Sequence, residues 1–481
     1  MFPGHQVLCN TDGAMLNSHK ELLAAICGVV GPTGILTGDD VAARQVGWLS
    51  PKPCAARAIV RPASTDVLSR VMKLCHAAGQ GVIPVGGNTG LVEGTLATSD
   101  DIMISTERMT AIEATDIDGA TMTVQAGVPL EAVQNHAAEQ GFMFPVDFGA
   151  RGSAAIGGAI STNAGGNSVI RYGMMREQVL GLEAVLADGT VISSMNKMLK
   201  NNAGYDLKQL FIGTEGTLGI VTRAVLRLRP ALKSQNTAFV ALDNFEKVPA
   251  LLRHLGSALG GSLSAFEVLW EDFYRTIVVE LDNHQPPVAE GHPFYVLIEA
   301  RGGDQTADAE RFEAALESAF EDELICDAAI AQGGAQRQAL WAIRDDIETM
   351  IKSLGTPIAF DVSLPIAVAD EYVNRVRARL AERWPNSFRN VTFGHLGDSN
   401  IHFVMTIDST DHDERSAAMK IVYEELEPYD GSVSAEHGIG VEKRAYLHHS
   451  RNAAELDLMR MLKQALDPGN ILNPGKVLDA N

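Results

Sequence analysis

The chain has 481 residues, of which 46% are apolar and 21% charged, a composition that excludes a disordered, collagenous or coiled-coil protein. That length points to two or three domains folded on one another. With 39 basic and 60 acidic residues the formal charge is −21, so the surface should repel nucleic acid and anionic lipid, and no Lys/Arg block interrupts that pattern.

The N-terminal Met-Phe-Pro-Gly-His-Gln lacks a basic region, and the apolar stretch from Leu22 to Val30, interrupted by Gly28, is too short to span a bilayer. Cys9, Cys27, Cys54, Cys75 and Cys326 form no CxxC pair and read as buried thiols of a reducing compartment. Together these features predict a soluble cytoplasmic protein. From Ser64, Val67, Leu68, Val71, Leu74 and Cys75 recur at helical spacing, with Gly79 as the stop. Strands are predicted at Val82–Val85, Ile102–Ser105, Met122–Ala126, Leu182–Ala187 and Gly219–Leu228, with a helix at Leu130–Gln140.

This half ends near Arg229-Pro230, and a second α+β pattern follows. Its predicted strands are Thr237–Leu242, Ser264–Leu269, Phe294–Glu299 and Ala359–Ser363, and its helices are Phe245–Leu259, Ala307–Phe320 and Ala367–Arg383. One long helix is expected around Arg337–Ser353. A hairpin at Val391–Met405 and helices at Arg415–Leu426 and Ala453–Leu466 complete the pattern.

Glycines cluster in three places in the first half. Pro84-Val85-Gly86-Gly87-Asn88-Thr89-Gly90-Leu91 follows directly on a strand, and glycines there let backbone N–H groups converge on phosphate oxygens. Gly152 to Asn167, with Arg171-Tyr172-Gly173 shortly after, is rich in small residues, hydroxyls and amides, so a large ligand can approach its backbone closely. The third cluster is Gly213-Thr214-Glu215-Gly216-Thr217-Leu218-Gly219-Ile220-Val221. Tight turns and close strand packing account for the same glycines without a ligand. Neither GxGxxG nor GxxxxGK[ST] occurs, which disfavours a Rossmann site and a P-loop.

The second half carries Gly394-His395-Leu396-Gly397-Asp398-Ser399-Asn400-Ile401-His402 and then Ala435-Glu436-His437-Gly438. A turn at Gly397–Asn400 can fold the strands back so that both imidazoles face one point. Two neutral imidazoles and a carboxylate make a three-ligand set with open positions, suited to zinc and also acceptable to manganese or iron. A hydrogen-bonded histidine cluster that braces the hairpin is the purely structural alternative.

At these motifs, from about residue 50 to the C-terminus, the sequence resembles the flavoprotein family typified by vanillyl-alcohol oxidase. Within it, the chain is similar to the FAD-dependent D-2-hydroxy-acid dehydrogenases, a branch with D-lactate, glycolate and D-2-hydroxyglutarate enzymes. The resemblance implies an α+β fold: an N-terminal segment over 1–50, an FAD-binding domain over 51–230, an α/β substrate cap over 231–430, and a C-terminal segment over 431–481 that returns to the flavin.

It implies that Pro84, Gly86, Gly87, Asn88, Thr89, Gly90 and Leu91 wrap the FAD pyrophosphate. Ser153, Ile156, Gly157, Gly158, Ser161, Thr162, Asn163, Gly165 and Gly166, with Tyr172 and Gly173 beyond them, then line the flavin and ribityl chain. Ile220 and Val221 contact the adenine side, and Asn473, in Asn470-Ile471-Leu472-Asn473-Pro474-Gly475, approaches the isoalloxazine. Asn88 stands where some relatives attach flavin through histidine, so the FAD is expected to be dissociable. By the same resemblance His395, His402 and Glu436 bind a divalent metal such as zinc, His437 is the general base, and Arg344, after Trp341, holds the substrate carboxylate. Read without the family, Arg344 is a solvated helix residue paired with Glu348.

The hydroxyglutarate branch carries polar residues at three positions occupied here by Val404, Glu348 and Ala359. Their loss favours a monocarboxylate such as D-lactate over a dicarboxylate. The resemblance further implies a homodimer that passes electrons to an electron-transfer protein or a quinone. An alcohol oxidase or ether-lipid-type synthase of the same fold is one alternative, and a metallohydrolase whose glycine loops bind phosphate is another.

Overall fold

A computed structural model describes residues 19–47 and 53–479; the N-terminal hexapeptide and Cys9 lie outside them. Three main sheets organise the chain. The first has the order Ile35–Thr37, Ala58–Val60, Ile102–Ser105, Val82–Val85, with parallel pairing between the last three strands. The second is antiparallel throughout, in the order Ile112–Asp116, Thr121–Gln125, Ile220–Arg227, Val179–Val185, Val191–Ser194.

The third sheet has seven strands in the order Asp327–Ile330, Ser234–Leu242, Phe294–Gly302, Leu263–Trp270, Arg389–Gly394, Asn400–Thr406, Ile358–Ser363. Alternation splits its side chains between two layers. Phe266, Val268, Phe360, Val362, Ile401 and Phe403 enter one core, covered by the helices Lys247–Ala258, Gln305–Glu321, Ala369–Arg383 and His412–Glu424. Leu269, Phe393 and Val404 enter a second core on the other face, where they meet Leu340, Ile343, Met350 and Leu354. The residues between the first set, Glu267, Asp361 and His402, therefore lie on this second face.

The C-terminal strap joins the two halves. From Ser432, bridged to Ser363 at the edge of the seven-stranded sheet, the chain crosses to the first half, where Val441 N donates to Val92 O at 3.0 Å. After the helix Ala453–Leu466, Val82 N donates to Ile471 O at 2.7 Å and Asn473 N to Val82 O at 2.8 Å, adding a parallel edge beside Val82–Val85. Buried Asp467 fixes this turn, accepting from Ile471 N, Leu472 N and Lys463 Nζ.

Most predicted elements form within a few residues of the expected bounds. Three expectations are corrected. The stretch after Ser153 carries a helix over Ile156–Thr162 rather than a loop throughout; Ala155 precedes it without a side-chain cap, and Asn163, at φ +52°, ends it. The single helix around Arg337–Ser353 is two, Gly334–Asp345 and Ile347–Ser353, broken at Asp346, whose carboxylate accepts from His284 instead. Cys54 and Cys75 are buried as expected, but Cys326 is exposed. No helix among the described residues is long and apolar enough to cross a membrane.

Candidate active site

The three glycine clusters meet. At Gly87 a Cβ would lie 1.9 Å from Ser153 O, and at Gly86 it would lie 3.3 Å from Gly158 Cα, so the first loop packs directly on the second. Gly216, at φ +74°, sits against the ring of Pro84, whose Cγ would lie 2.9 Å from a Cβ there. Backbone this bare and this close to backbone is a cradle no side chain can fill. Glu215, also left-handed at φ +53°, links the third loop to the rest. Its N–H donates to Ser161 O at 2.7 Å, its carbonyl accepts from Asn473 Nδ2 at 2.7 Å, and its carboxylate accepts from Ile439 N and Gly440 N.

Asn473 is 2% exposed and its Oδ1 has no partner. A buried acceptor left unpaired is costly, and a ligand N–H such as that of a flavin ring answers it. The cradle and this orphaned oxygen together fit FAD. Asn88, at φ +56°, has its amide committed to Gln45 O and Thr95 Oγ1. Asn163 is a helix cap that accepts from Arg176 N, and the hydroxyls of Ser161 and Thr162 donate to Gly157 O and Gly158 O. Tyr172 lies under the Arg171 guanidinium. Ile220 and Val221 are each 3% exposed, their side chains packed into the cores of the first half.

A second constellation forms where the polar residues on the second face of the seven-stranded sheet meet this cradle. His395 Nε2 and His402 Nε2 lie 3.9 and 4.0 Å from Glu436 Oε2. Two ligands of one zinc, each at about 2.0–2.2 Å, can be at most about 4.4 Å apart, so the trio fits one ion. Glu436 Oε1 accepts from Gly166 N at 2.8 Å, which places this carboxylate directly on the second glycine cluster. Burial and the neighbouring His395 hold the His402 pKa well below the ordinary value, so the ring is neutral and able to ligate.

His437 stacks on His402 with ring centroids 5.9 Å apart, and burial lowers its pKa, so it too is neutral and can accept a proton. Asp361, fully buried, organises both. Its Oδ2 accepts from Glu436 N and His437 N, each at 2.9 Å, and its Oδ1 from Asn400 Nδ2 at 2.7 Å. Burial opposes its charge, but His437, Lys443, His402 and these donors prevail and hold the carboxyl well below its usual range. Asp398, in the turn between the two histidines, is pushed up to about 7, by burial above all.

Arg344 is 7% exposed, not solvated, and it does not pair with Glu348, which binds Lys352 instead. Its Nε donates to Glu267 Oε2 at 2.8 Å, and its Nη2 lies 3.1 Å from His395 Nε2. Glu267, Asp361 and Glu215 escaped the sequence reading. The signal for the first two was a single acid inside a mostly apolar strand, in Leu263–Trp270 and Ile358–Ser363.

A family model for an FAD binding domain matches residues 56–194, and one for the C-terminal domain of FAD linked oxidases matches residues 231–477. The chain belongs to the FAD-linked oxidase family. It is 38% identical to the D-2-hydroxyglutarate dehydrogenase of Bos taurus over 95% of this chain and 84% of that one. It is 39% identical to the D-2-hydroxyglutarate dehydrogenase of Xanthomonas citri pv. viticola over 90% of each.

Among solved structures, p-cresol methylhydroxylase superposes with a TM-score of 0.75 at 15% identity, covering 95% of this chain and 96% of that one. The fold is accordingly the vanillyl-alcohol-oxidase type, and this flavoprotein is an oxidoreductase that uses FAD. The first two glycine clusters fall within the FAD-binding match. The expectation of a cytoplasmic protein does not stand: the Bos taurus relative carries the word mitochondrial in its name.

Proposed function

We propose that this flavoprotein oxidises a D-2-hydroxy acid to the 2-oxo acid, with a divalent metal, zinc first, held by His395, His402 and Glu436. The observation that carries this reading is the bond from Gly166 N to Glu436 Oε1, which brings the group His395, His402 and Glu436, with the neutral His437 beside it, against the glycine cradle. The names of the relatives support the hydroxy-acid class.

When bound, the metal lowers the pKa of a substrate hydroxyl, and FAD accepts the hydride from C2. The chain does the rest. Arg344, whose Nη1 has among the described residues only the distant Asp345 as ion-pair partner, at 3.8 Å, fixes the substrate carboxylate. His437 removes the hydroxyl proton, and Asp361 keeps the Glu436-His437 backbone in place while it does so. Asn88 offers no ring nitrogen for a covalent link and its amide is already engaged, which favours dissociable FAD.

For the substrate's side chain we favour a short apolar group. Val404 is 3% exposed among Val391, Phe393, Met350 and Leu354, and Glu348 faces outward on Lys352, so neither supplies a cation for a second carboxylate. D-2-Hydroxyglutarate is the second reading, because the two relatives above are named for it. Turnover of the purified protein on a substrate panel separates them. D-Lactate and D-2-hydroxybutyrate should exceed D-2-hydroxyglutarate in kcat/KM by about tenfold or more, the value of one unpaired buried charge contact. EDTA should abolish turnover on all of them, and added zinc should restore it. Preference for the dicarboxylate would overturn the side-chain reading, and full activity in EDTA the metal reading.

A further inference from the structure

We propose that Glu215 is a positioning residue for the base: its carboxylate seats the turn that leaves His437, so that the ring is registered to the flavin cradle as well as to the sheet that carries the two other histidines. The inference deepens the hydroxy-acid reading above and rests on it. The strap turns at Gly438-Ile439-Gly440, with Gly438 at φ +87° and Gly440 at φ +51°. Two consecutive N–H groups of that turn converge on one side chain: Ile439 N donates to Glu215 Oε1 at 2.6 Å and Gly440 N to Glu215 Oε2 at 2.9 Å. Such a pair of amides is an anion seat, and here the anion is the chain's own. The fit is close, since a Cβ at Gly438 would lie 2.8 Å from Glu215 Oε1.

His437 is thus held from two directions. Its own N–H donates to Asp361 Oδ2, in the strand Ile358–Ser363 of the seven-stranded sheet, and this bond fixes the peptide that enters it. The peptides that leave it run through two glycines, whose backbone has the widest choice of conformations, and Glu215 selects one. Glu215 is itself pinned within the cradle, where its N–H donates to Ser161 O and its carbonyl accepts from Asn473 Nδ2, each at 2.7 Å. A substrate whose C2 faces the cradle presents its hydroxyl proton to His437 in one orientation, so the base must keep its place relative to the cradle.

The test removes the carboxylate and returns it from solution. Glu215→Ala deletes the atoms of an acetate ion and leaves the two N–H groups of the turn open. On the purified, flavin-loaded full chain, with the preferred hydroxy acid of the panel above, flavin reduction at saturation should slow about 10- to 100-fold in Glu215→Ala and about tenfold in Glu215→Gln. KM should hold, because Arg344 and Glu436 take their bonds from Glu267, Gly166 and Asp361 instead. Added acetate should speed Glu215→Ala by about fivefold or more, measured against the parent in the same acetate, since acetate also competes at Arg344. It should not speed Glu215→Gln, whose carboxamide still fills the seat. Amide hydrogen exchange of a peptide over 437–441 should rise in Glu215→Ala and fall again with acetate, a readout independent of turnover.

A Glu215 that merely packs the cradle would cost flavin content or unfolding temperature, leave the reduction rate per bound flavin at the parent value and show no effect of acetate. Rates per bound flavin within about twofold of the parent in both variants, or a Glu215→Ala protein that acetate does not speed, overturn the proposal. If Glu215→Ala does not retain flavin, the rate and the exchange in Glu215→Gln decide; if neither retains it, Glu215 belongs to the cradle alone and the proposal falls. A parent protein whose flavin no hydroxy acid reduces removes the hydroxy-acid reading itself, and this proposal with it.

Discussion

Gly87→Ala is expected to yield protein without flavin colour. The added Cβ would sit 1.9 Å from Ser153 O and 2.8 Å from Ala154 Cα, and neither neighbour is a flexible side chain. That backbone is held from both sides, since Ala154 N donates to Ala150 O and Leu130 N to Ala154 O, each at 2.8 Å. The first loop must therefore lift off the second, and the cradle that both form opens. Gly256→Ala is the control: it lies in the helix Lys247–Ala258, outside the three glycine clusters, a Cβ there meets nothing within 4 Å, and its φ is not in the left-handed region, so flavin content should stay at the parent level. The ratio of flavin to protein absorbance after purification measures both. Full flavin in Gly87→Ala would show that the glycine contact is not what shapes the site.

His437→Ala should keep its flavin and lose substrate-driven flavin reduction by about 10²- to 10⁴-fold, the usual worth of a placed general base. The retained flavin follows from the local bonds. It is the backbone N of residue 437 that binds Asp361, and the imidazole comes no nearer to that carboxylate than 3.8 Å, so removing the ring leaves the loop in place. The pH profile carries the same information. Because burial lowers the His437 pKa, the ring stays unprotonated into mildly acidic solution, and the acid limb of kcat/KM in the parent should fall below the ordinary imidazole value of about 6.5. Reduction in the variant at the parent rate would assign the proton to another group.

Legibility in the sequence followed the range of the interactions. The glycine clusters could be read because each is a local requirement of the backbone, and the grouping of His395, His402 and Glu436 because the two histidines flank one turn while Glu436 adjoins His437. What escaped was whatever depends on strand pairing. Glu267 and His395 are 128 residues apart and meet only because Val268 pairs with Gly394. Asp361 reaches His402 through the register of Ile358–Ser363 on Asn400–Thr406, and reaches the Glu436-His437 backbone through the Ser363–Ser432 bridge.

Helical periodicity also hid the break at Asp346, because apolar residues continue across it at compatible spacing, from Leu340 and Ile343 to Ile347, Met350 and Ile351. Local spacing misassigned Arg344 for a similar reason. Glu348 lies one turn on in sequence, yet the helix restart at Ile347 turns it toward Lys352, while the strand Leu263–Trp270 supplies the partner that Arg344 takes.

The most direct test of the central claim is an anaerobic visible spectrum of the flavin-loaded protein, before and after addition of D- and L-2-hydroxy acids one at a time. The site described here predicts that the flavin bands bleach with D-2-hydroxy acids, that L enantiomers leave them unchanged, and that His437→Ala slows the bleaching. Flavin bands that no hydroxy acid of either hand bleaches, in protein with zinc present, would contradict it.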